Sequence, residues 1–372
     1  MYQIPAIGDL LVYFDTNQTM INATIALFIL VIGIAPLFWA PLSERIGRKP
    51  VYITCMTLYV IFTIICAVAP NLGVFFAFRV LQGIASSGGM AVAGGTVADL
   101  FLPHERGKAM SLFMLATIIG PAFSPLVGGY VDQYLGWRWI FYISTMIGGV
   151  ILIADLLFMR ETLHRPQQEE QEKKSISTRL AQLKFNPFVG LKLLLLPQVL
   201  LTCLPMSVLF GWYYCLVTSL PETYSSLYGF STGSIGLLYL TSGVGNCAGS
   251  VLGGLLSDRF HHWQLKRKNG KVAPEDRLVP LYFGIPPMVA GFLIYGWLLH
   301  AHVHWFPPMV GLFLTSLGLM YTITTATTYL VESFLKISAS AVSASNFTRN
   351  LCAMILSLLS AEIVGNMGPG WA

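Results

Sequence analysis

The sequence predicts an all-α integral membrane protein built as two helical bundles, and three observations predict it. Charged residues make up only 10% of the 372 and hydrophobic residues 55%, with a mean hydropathy of +0.67. Apolar stretches long enough to cross a bilayer recur along the chain, and the basic residues collect on one side of them. A soluble domain carries roughly 25% charged residues because its surface must stay in water. A chain this poor in charge cannot cover itself, so lipid is its solvent.

A spanning helix needs about 20 mostly apolar residues, because each adds about 1.5 Å across about 30 Å of hydrocarbon. In the first half such stretches run from Met20 to Pro41, Val51 to Val68, Leu72 to Ala98, Ala109 to Val131 and Trp139 to Met159. In the second they run from Gln198 to Leu220, Ser234 to Leu256, Val279 to His300, Pro307 to Val331 and Ser338 to Gly365. These are about ten spans.

Threading the 22 Lys and Arg residues through alternating loops sets the orientation. One side receives Arg45, Arg48, Lys49, Arg106 and Lys108, then Arg160, Arg165, Lys173, Lys174, Arg179, Lys184 and Lys192. Later loops on that side add Arg259, Lys266, Arg267, Lys268, Lys271, Arg277 and Lys336. The opposite side receives only Arg138, while Arg79 and Arg349 fall inside spans. The basic side is therefore cytoplasmic. The net charge of +5 is topogenic, which excludes nucleic acid as a partner. Two sequons, at Asn17 and Asn22, lie on the outer side and predict glycosylation there. Met1 to Asn22 lacks the basic start and apolar run of a signal peptide. The six cysteines sit in apolar stretches without paired or metal-type spacing and read as packing residues.

The linker from Arg160 to Pro197, with its charged centre at Glu169 to Lys174, divides the chain. Residues 1–159 form an N-terminal bundle, 160–197 a cytoplasmic loop and 198–372 a C-terminal bundle. The halves share a pattern. Gly33 to Arg45 is a Gly-containing membrane helix that ends in an acidic–Arg pair, and Gly249 to Arg259 ends the same way at Asp258 and Arg259. Such internal repeats are typical of secondary transporters, whose site lies between the repeats.

Several stretches resemble one known family. Leu42-Ser-Glu44-Arg45-Ile-Gly47-Arg48-Lys49 resembles the major facilitator signature between helices 2 and 3. Arg79-Val-Leu-Gln82-Gly83 resembles that family's helix 4 motif, and Gly120-Pro121 through Ser124-Pro125 to Gly128-Gly129 its antiporter motif in helix 5. Ala98-Asp99, Glu105 to Lys108, Arg160 to Leu163 and Ser338 to Asn350 match the fungal 12-spanner drug:proton antiporters. Within them the chain resembles multidrug and polyamine exporters, including quinidine-resistance and dityrosine-type relatives. The resemblance implies the major facilitator fold, with the spans present reading as helices 2 to 11 of twelve. Tyr2 to Ile7 looks like the exit of the first helix, so truncation at both ends is expected, with a degenerate paralogue as the alternative.

The candidate residues follow. A charge at mid-membrane costs at least about 2.5–3.5 kcal/mol, so Arg79 must face a polar cavity or a partner. With Gln82 it is either structural or, as the resemblance implies, a lining residue that couples proton movement to substrate. Glu44, Arg45, Gly47, Arg48 and Lys49 are either topogenic charges or, as the resemblance implies, a gating latch between the halves, with Asp258 and Arg259 as the weaker copy. Glu44 stands where the family usually has Asp. Gly120, Pro121, Ser124, Pro125, Gly128 and Gly129 make either a structural kink or, as the resemblance implies, the bend that seals one side of the cavity. Ser124 replaces the family's usual Gly. Arg349, beside Asn346 and Asn350 near the inner mouth, is a cavity candidate together with Asn346, and Asp155 and Glu362 read as interfacial. Trp212, Tyr213, Tyr214, Tyr239 and Tyr321 are either packing residues or an aromatic wall for a cationic or amphiphilic substrate. His300, His302 and His304 have no helical spacing and no nearby carboxylate or thiol, so no metal is assigned.

No phosphate-binding loop or nucleophile–base arrangement is present in the sequence, which points away from an enzyme and from any cofactor. The expected function is secondary active export of small organic compounds in exchange for protons, by alternating access. The alternatives are a facilitator or symporter of the same fold, or a truncated membrane protein that does not transport. The expected partners are the substrate, protons and the bilayer, with the protein a monomer. The plasma membrane is the expected location and the vacuolar membrane the alternative.

Overall fold

The computed structural model describes residues 6–100, 106–162, 193–268, 274–334 and 338–368. Among them the regular structure is helical. The N-terminal bundle comprises α1 (Ile7–Phe14), α2 (Gln18–Ile34), α3 (Pro36–Ile46), α4 (Arg48–Ala67), α5 (Leu72–Leu100), α6 (Arg106–Leu135) and α7 (Trp137–Phe158). The C-terminal bundle comprises α8 (Pro197–Tyr228), α9 (Thr232–Arg267), a 3-10 helix (Pro274–Phe283), α10 (Ile285–His300), α11 (Phe306–Ser333) and α12 (Ser338–Met367). Among the described residues, 9 segments are long and apolar enough to span a membrane, and α6 covers the further stretch from Ala109 to Val131.

The helices depart from the predicted spans where proline intervenes. The first span is two helices, because Pro36 lacks an N–H and its ring crowds the preceding turn. Pro36 instead opens α3 at a position where no intrahelical donor is needed. The span predicted from Val279 begins as the 3-10 helix, which contains Pro280; the α-helix starts only at Ile285, with proline in its first turn. Helix α1 occupies the stretch after the expected exit of a preceding helix. It is pinned by Phe14, whose ring lies 5.4 Å from Phe75 and 5.8 Å from Trp137.

Lipid as solvent explains the surface. Met146, Val150, Ile153 and Leu157 recur at helical spacing on one face of α7 and are all more than half exposed, a stripe that only hydrocarbon would cover. Within each bundle α4 packs on α5 and α7, α8 on α12, and α9 on α11. Small residues set the closest approach. A Cβ on Gly249 of α9 would lie 2.2 Å from the Leu317 carbonyl oxygen of α11. The bundles meet through two helix pairs, α2 with α12 and α6 with α9.

The two sequon asparagines are placed differently. Asn22 faces α12 from the start of α2 and is 1% exposed. Its Nδ2, the atom that would carry a glycan, donates to Ser360 Oγ at 3.1 Å. Asn17 is the exposed N-cap of α2 and accepts from the Met20 N–H at 3.1 Å. The cysteines are free thiols, and Cys55, Cys66, Cys203 and Cys215 are buried.

Candidate functional site

A cavity of about 260 Å³ lies between the bundles, just below the ~300–1,000 Å³ of typical small-molecule sites. The N-terminal half contributes Phe28 and Ile32 of α2, Arg79 of α5 and Pro125 of α6. The C-terminal half contributes Phe210, Tyr213 and Tyr214 of α8, Tyr239, Ser242 and Asn246 of α9, and Asn350 of α12.

Arg79 is 2% exposed and answers the cost of its charge locally. Its guanidinium donates to Gln82 Oε1 at 2.5 Å, and Gln82 Nε2 donates to Thr63 Oγ1 of α4 at 2.6 Å. It also lies 4.3 Å from the ring centre of Phe28 and 5.6 Å from that of Phe141. The negative faces of those rings stabilise the cation where water is excluded. Gln82 thus stands behind Arg79 and positions it.

The opposite wall is amphipathic. Ser242, Asn246 and Tyr239 share one face of α9 at helical spacing. The Tyr213 hydroxyl shares a hydrogen bond with Ser242 Oγ and accepts from Asn246 Nδ2 at 3.2 Å. Tyr239 donates to the Val217 carbonyl at 2.7 Å, leaving its ring as the apolar surface. Of the predicted aromatic wall, Tyr213, Tyr214 and Tyr239 line the cavity; Trp212 and Tyr321 do not. Tyr321 turns toward α9 and the start of α10, where a Cβ on Gly284 would lie 2.6 Å from its ring. Arg349 and Asn346 are hydrogen-bonded to each other, with Arg349 5.7 Å from the Phe210 ring centre. Their neighbour Asn350 is the one that reaches the cavity. Ser242 and Asn246 were missed from sequence, although two polar residues four apart in an apolar helix are a signal of an inward face.

Residues of the predicted antiporter motif sit at the seam between the halves, running from the cavity wall at Pro125 outward to Gly129. Pro125, Gly128 and Gly129 are buried on the face of α6 that meets α9. A Cβ on Gly129 would lie 2.4 Å from the Thr232 carbonyl oxygen, and one on Gly236 would lie 2.7 Å from that of Pro125. Gln133 Oε1 accepts from the Gly233 N–H at 3.0 Å. Together with Asn22 and Ser360, these contacts join the halves on the side that the charge bias assigns as outside. Gly120 faces open space and Ser124 is half-buried. The side chains of Pro121, Glu44 and Asp258 lie outside the described residues.

On the side that the charge bias assigns as cytoplasmic, Gly47 turns the chain between α3 and α4 with φ +108°, a left-handed conformation that favours glycine. The Glu161 carboxylate accepts from the Arg48 and Lys49 backbone N–H groups at 2.8 and 3.2 Å, satisfying open donors at the start of α4. The Arg48 guanidinium pairs with Asp99 at 3.0 Å and donates to Ser43 at 2.6 Å. The Lys49 ammonium reaches the Leu156 carbonyl at 3.4 Å. Ser43, Asp99 and Leu156 belong to the N-terminal half, and Glu161 to the start of the central loop that follows it. Arg45 is partly buried and Arg259 exposed.

The profile of the Major Facilitator Superfamily matches residues 1–357. The chain belongs to that superfamily. Among curated major facilitator proteins it is 38% identical to the MFS transporter fsa7 of Fusarium sp. (strain FN080326), over 96% of this chain and 73% of that protein. It is 36% identical to the MFS-type transporter hepF of Aspergillus oryzae, over 96% and 77%. It is 32% identical to the efflux pump radE of Floropilus chiversii, over 99% and 72%. Among solved major facilitator structures, the D-xylose-proton symporter superposes with a TM-score of 0.71 at 16% identity, covering 99% of this chain and 89% of that one. That likeness concerns the fold. The chain is thus an integral, multi-pass membrane transporter of the superfamily, not an enzyme.

Proposed function

We propose that this transporter exports small amphiphilic organic compounds in exchange for protons, by alternating access around the cavity between α2, α5, α8, α9 and α12. The observation that carries this reading is a cavity between the halves that combines an aromatic wall with a polar strip, below a seam packed on the outer side. The efflux pump radE, similar along nearly the whole chain, supports the export direction. Of the two substrate classes expected from sequence, the lining favours the amphiphilic one. Arg79 is the charged side chain among the described lining residues. It repels a cation and already engages the Phe28 face on which a cation would rest.

Proton exchange is supported by the resemblance of Gly120 to Gly129 to an antiporter motif and by that stretch's place at the seam. The latch reading of Gly47 to Lys49 stands on its resemblance and on the rigid turn held by Glu161. The plasma membrane is the proposed location. The test is efflux of a panel of amphiphiles from yeast lacking its own exporters, with and without a protonophore. Protonophore-sensitive efflux is the expected result. Efflux that continues unchanged under the protonophore would refute proton exchange and make the protein a facilitator.

A further inference from the structure

Asp132 is a carboxylate the transport reading does not use. It lies in the last turn of α6, just beyond the apolar stretch that ends at Val131. Helical spacing puts it on the stripe of Pro125, Gly128 and Gly129, the buried face of α6 that packs on α9. Its neighbour Gln133 bonds to Gly233 across the seam. Asp132 is only 3% exposed, and neither carboxylate oxygen has a hydrogen-bond partner among the described residues.

The charges around it do not compensate. On α1, Asp9 adds a second negative charge. On α7 the nearest cation in sequence, Arg138, lies 4.3 Å from the Tyr13 ring centre and 4.7 Å from that of Trp137. Among the described residues it forms no ion pair with Asp132. On α9 the facing segment, Thr232 to Gly236, carries no charge. On α6 itself, Tyr130 and Tyr134 stack on each other. Burial first, and the Asp9 charge second, raise the affinity of this carboxyl for a proton above that of an ordinary aspartate.

We propose that Asp132 is a proton-binding site of the outer seam, filled from the external side when the halves close there and emptied to external water when they part. A buried carboxylate without donors is costly when charged, whereas the same group in water is an ordinary acid. The closed seam therefore binds the proton more tightly than the open one, and by linkage the proton favours closure. External acid thus drives the transporter toward the outward-closed state. The inference rests on the alternating-access part of the proposed function, and needs neither the substrate nor the coupling ion.

The test is a spin-label distance measurement across the outer side, on the reconstituted full chain without substrate. Nitroxides go on Tyr134 and Ser226, both exposed, with the native cysteines replaced. In the parent protein the closed-to-open ratio should rise as pH falls, by at most about tenfold per pH unit for one linked proton. Asp132→Asn should stay closed with no pH response. Asp9→Asn at low ionic strength should move the midpoint to lower pH, and it serves if Asp132→Asn does not fold. A parent ratio that ignores pH, a parent-like response in Asp132→Asn, or an unmoved midpoint in Asp9→Asn would overturn the proposal. Because no flux is measured, failure here is separable from failure of the export reading.

Discussion

Substituting Gly129 by alanine tests whether the outer seam is a moving part. A Cβ at this position would come within 2.4 Å of the Thr232 backbone oxygen, whereas ordinary contact begins at 3.4 Å. The obstacle is main chain, so α6 and α9 must separate by about 1 Å or lose the contact. Overpacking of this kind costs about 1–3 kcal/mol. The cost falls on the closed state alone, while alanine's gain in helix propensity over glycine, about 1 kcal/mol, applies to both states and cancels. The closed-to-open ratio should therefore drop roughly 5- to 150-fold. The same spin-label pair reads the ratio, and efflux from exporter-deficient yeast should slow because the cavity no longer seals toward the outside. Gly120→Ala is the control, since nothing lies within 4 Å of its added Cβ. Gly129→Ala that keeps the parent distance distribution and the parent efflux rate would refute the reasoning.

The remaining predictions concern the cavity, the cytoplasmic turn and the glycan. Arg79→Ala should abolish efflux while surface biotinylation still finds the protein at the membrane. Arg79→Lys should restore little, because an ammonium lacks the planar fork that bonds Gln82 while stacking on Phe28; parent-rate efflux in either variant would remove Arg79 from the mechanism. Asn246→Ala should raise the KM for efflux several-fold with surface expression intact, about 1 kcal/mol for one lost hydrogen bond. Glu161→Ala should lower the Tm in a thiol-dye or light-scattering melt, through loss of about 1 kcal/mol or more of capping at α4; an unchanged Tm would argue against that cap. Asn22→Gln should leave the glycosidase band shift as it is in the parent, because Asn22 Nδ2 is buried against Ser360.

The membrane class, the two-bundle fold and the approximate positions of the spans were legible in the sequence. Each rests on composition and one-dimensional periodicity, and a bilayer imposes both on any chain that crosses it. Arg79 was legible for the same reason, since a charge in an apolar run has to be explained wherever the helix faces. The seam glycines could be read as a motif, but not as an interface. That Gly129 meets Thr232 and Gly236 meets Pro125 is a relation between segments far apart in the chain. Which of two adjacent polar residues enters the cavity was likewise decided by helix rotation: Asn350 lines it and Arg349 does not. About 100° per residue separates those outcomes, and only packing against neighbouring helices sets that angle. Asn22 shows the same limit, because a sequon is a local pattern while its burial against Ser360 depends on a distant helix. The sequence by itself thus determined what crosses the membrane and where charge is anomalous. Tertiary structure decided which faces meet, because helix rotation and pairing are set by contacts that no single segment contains.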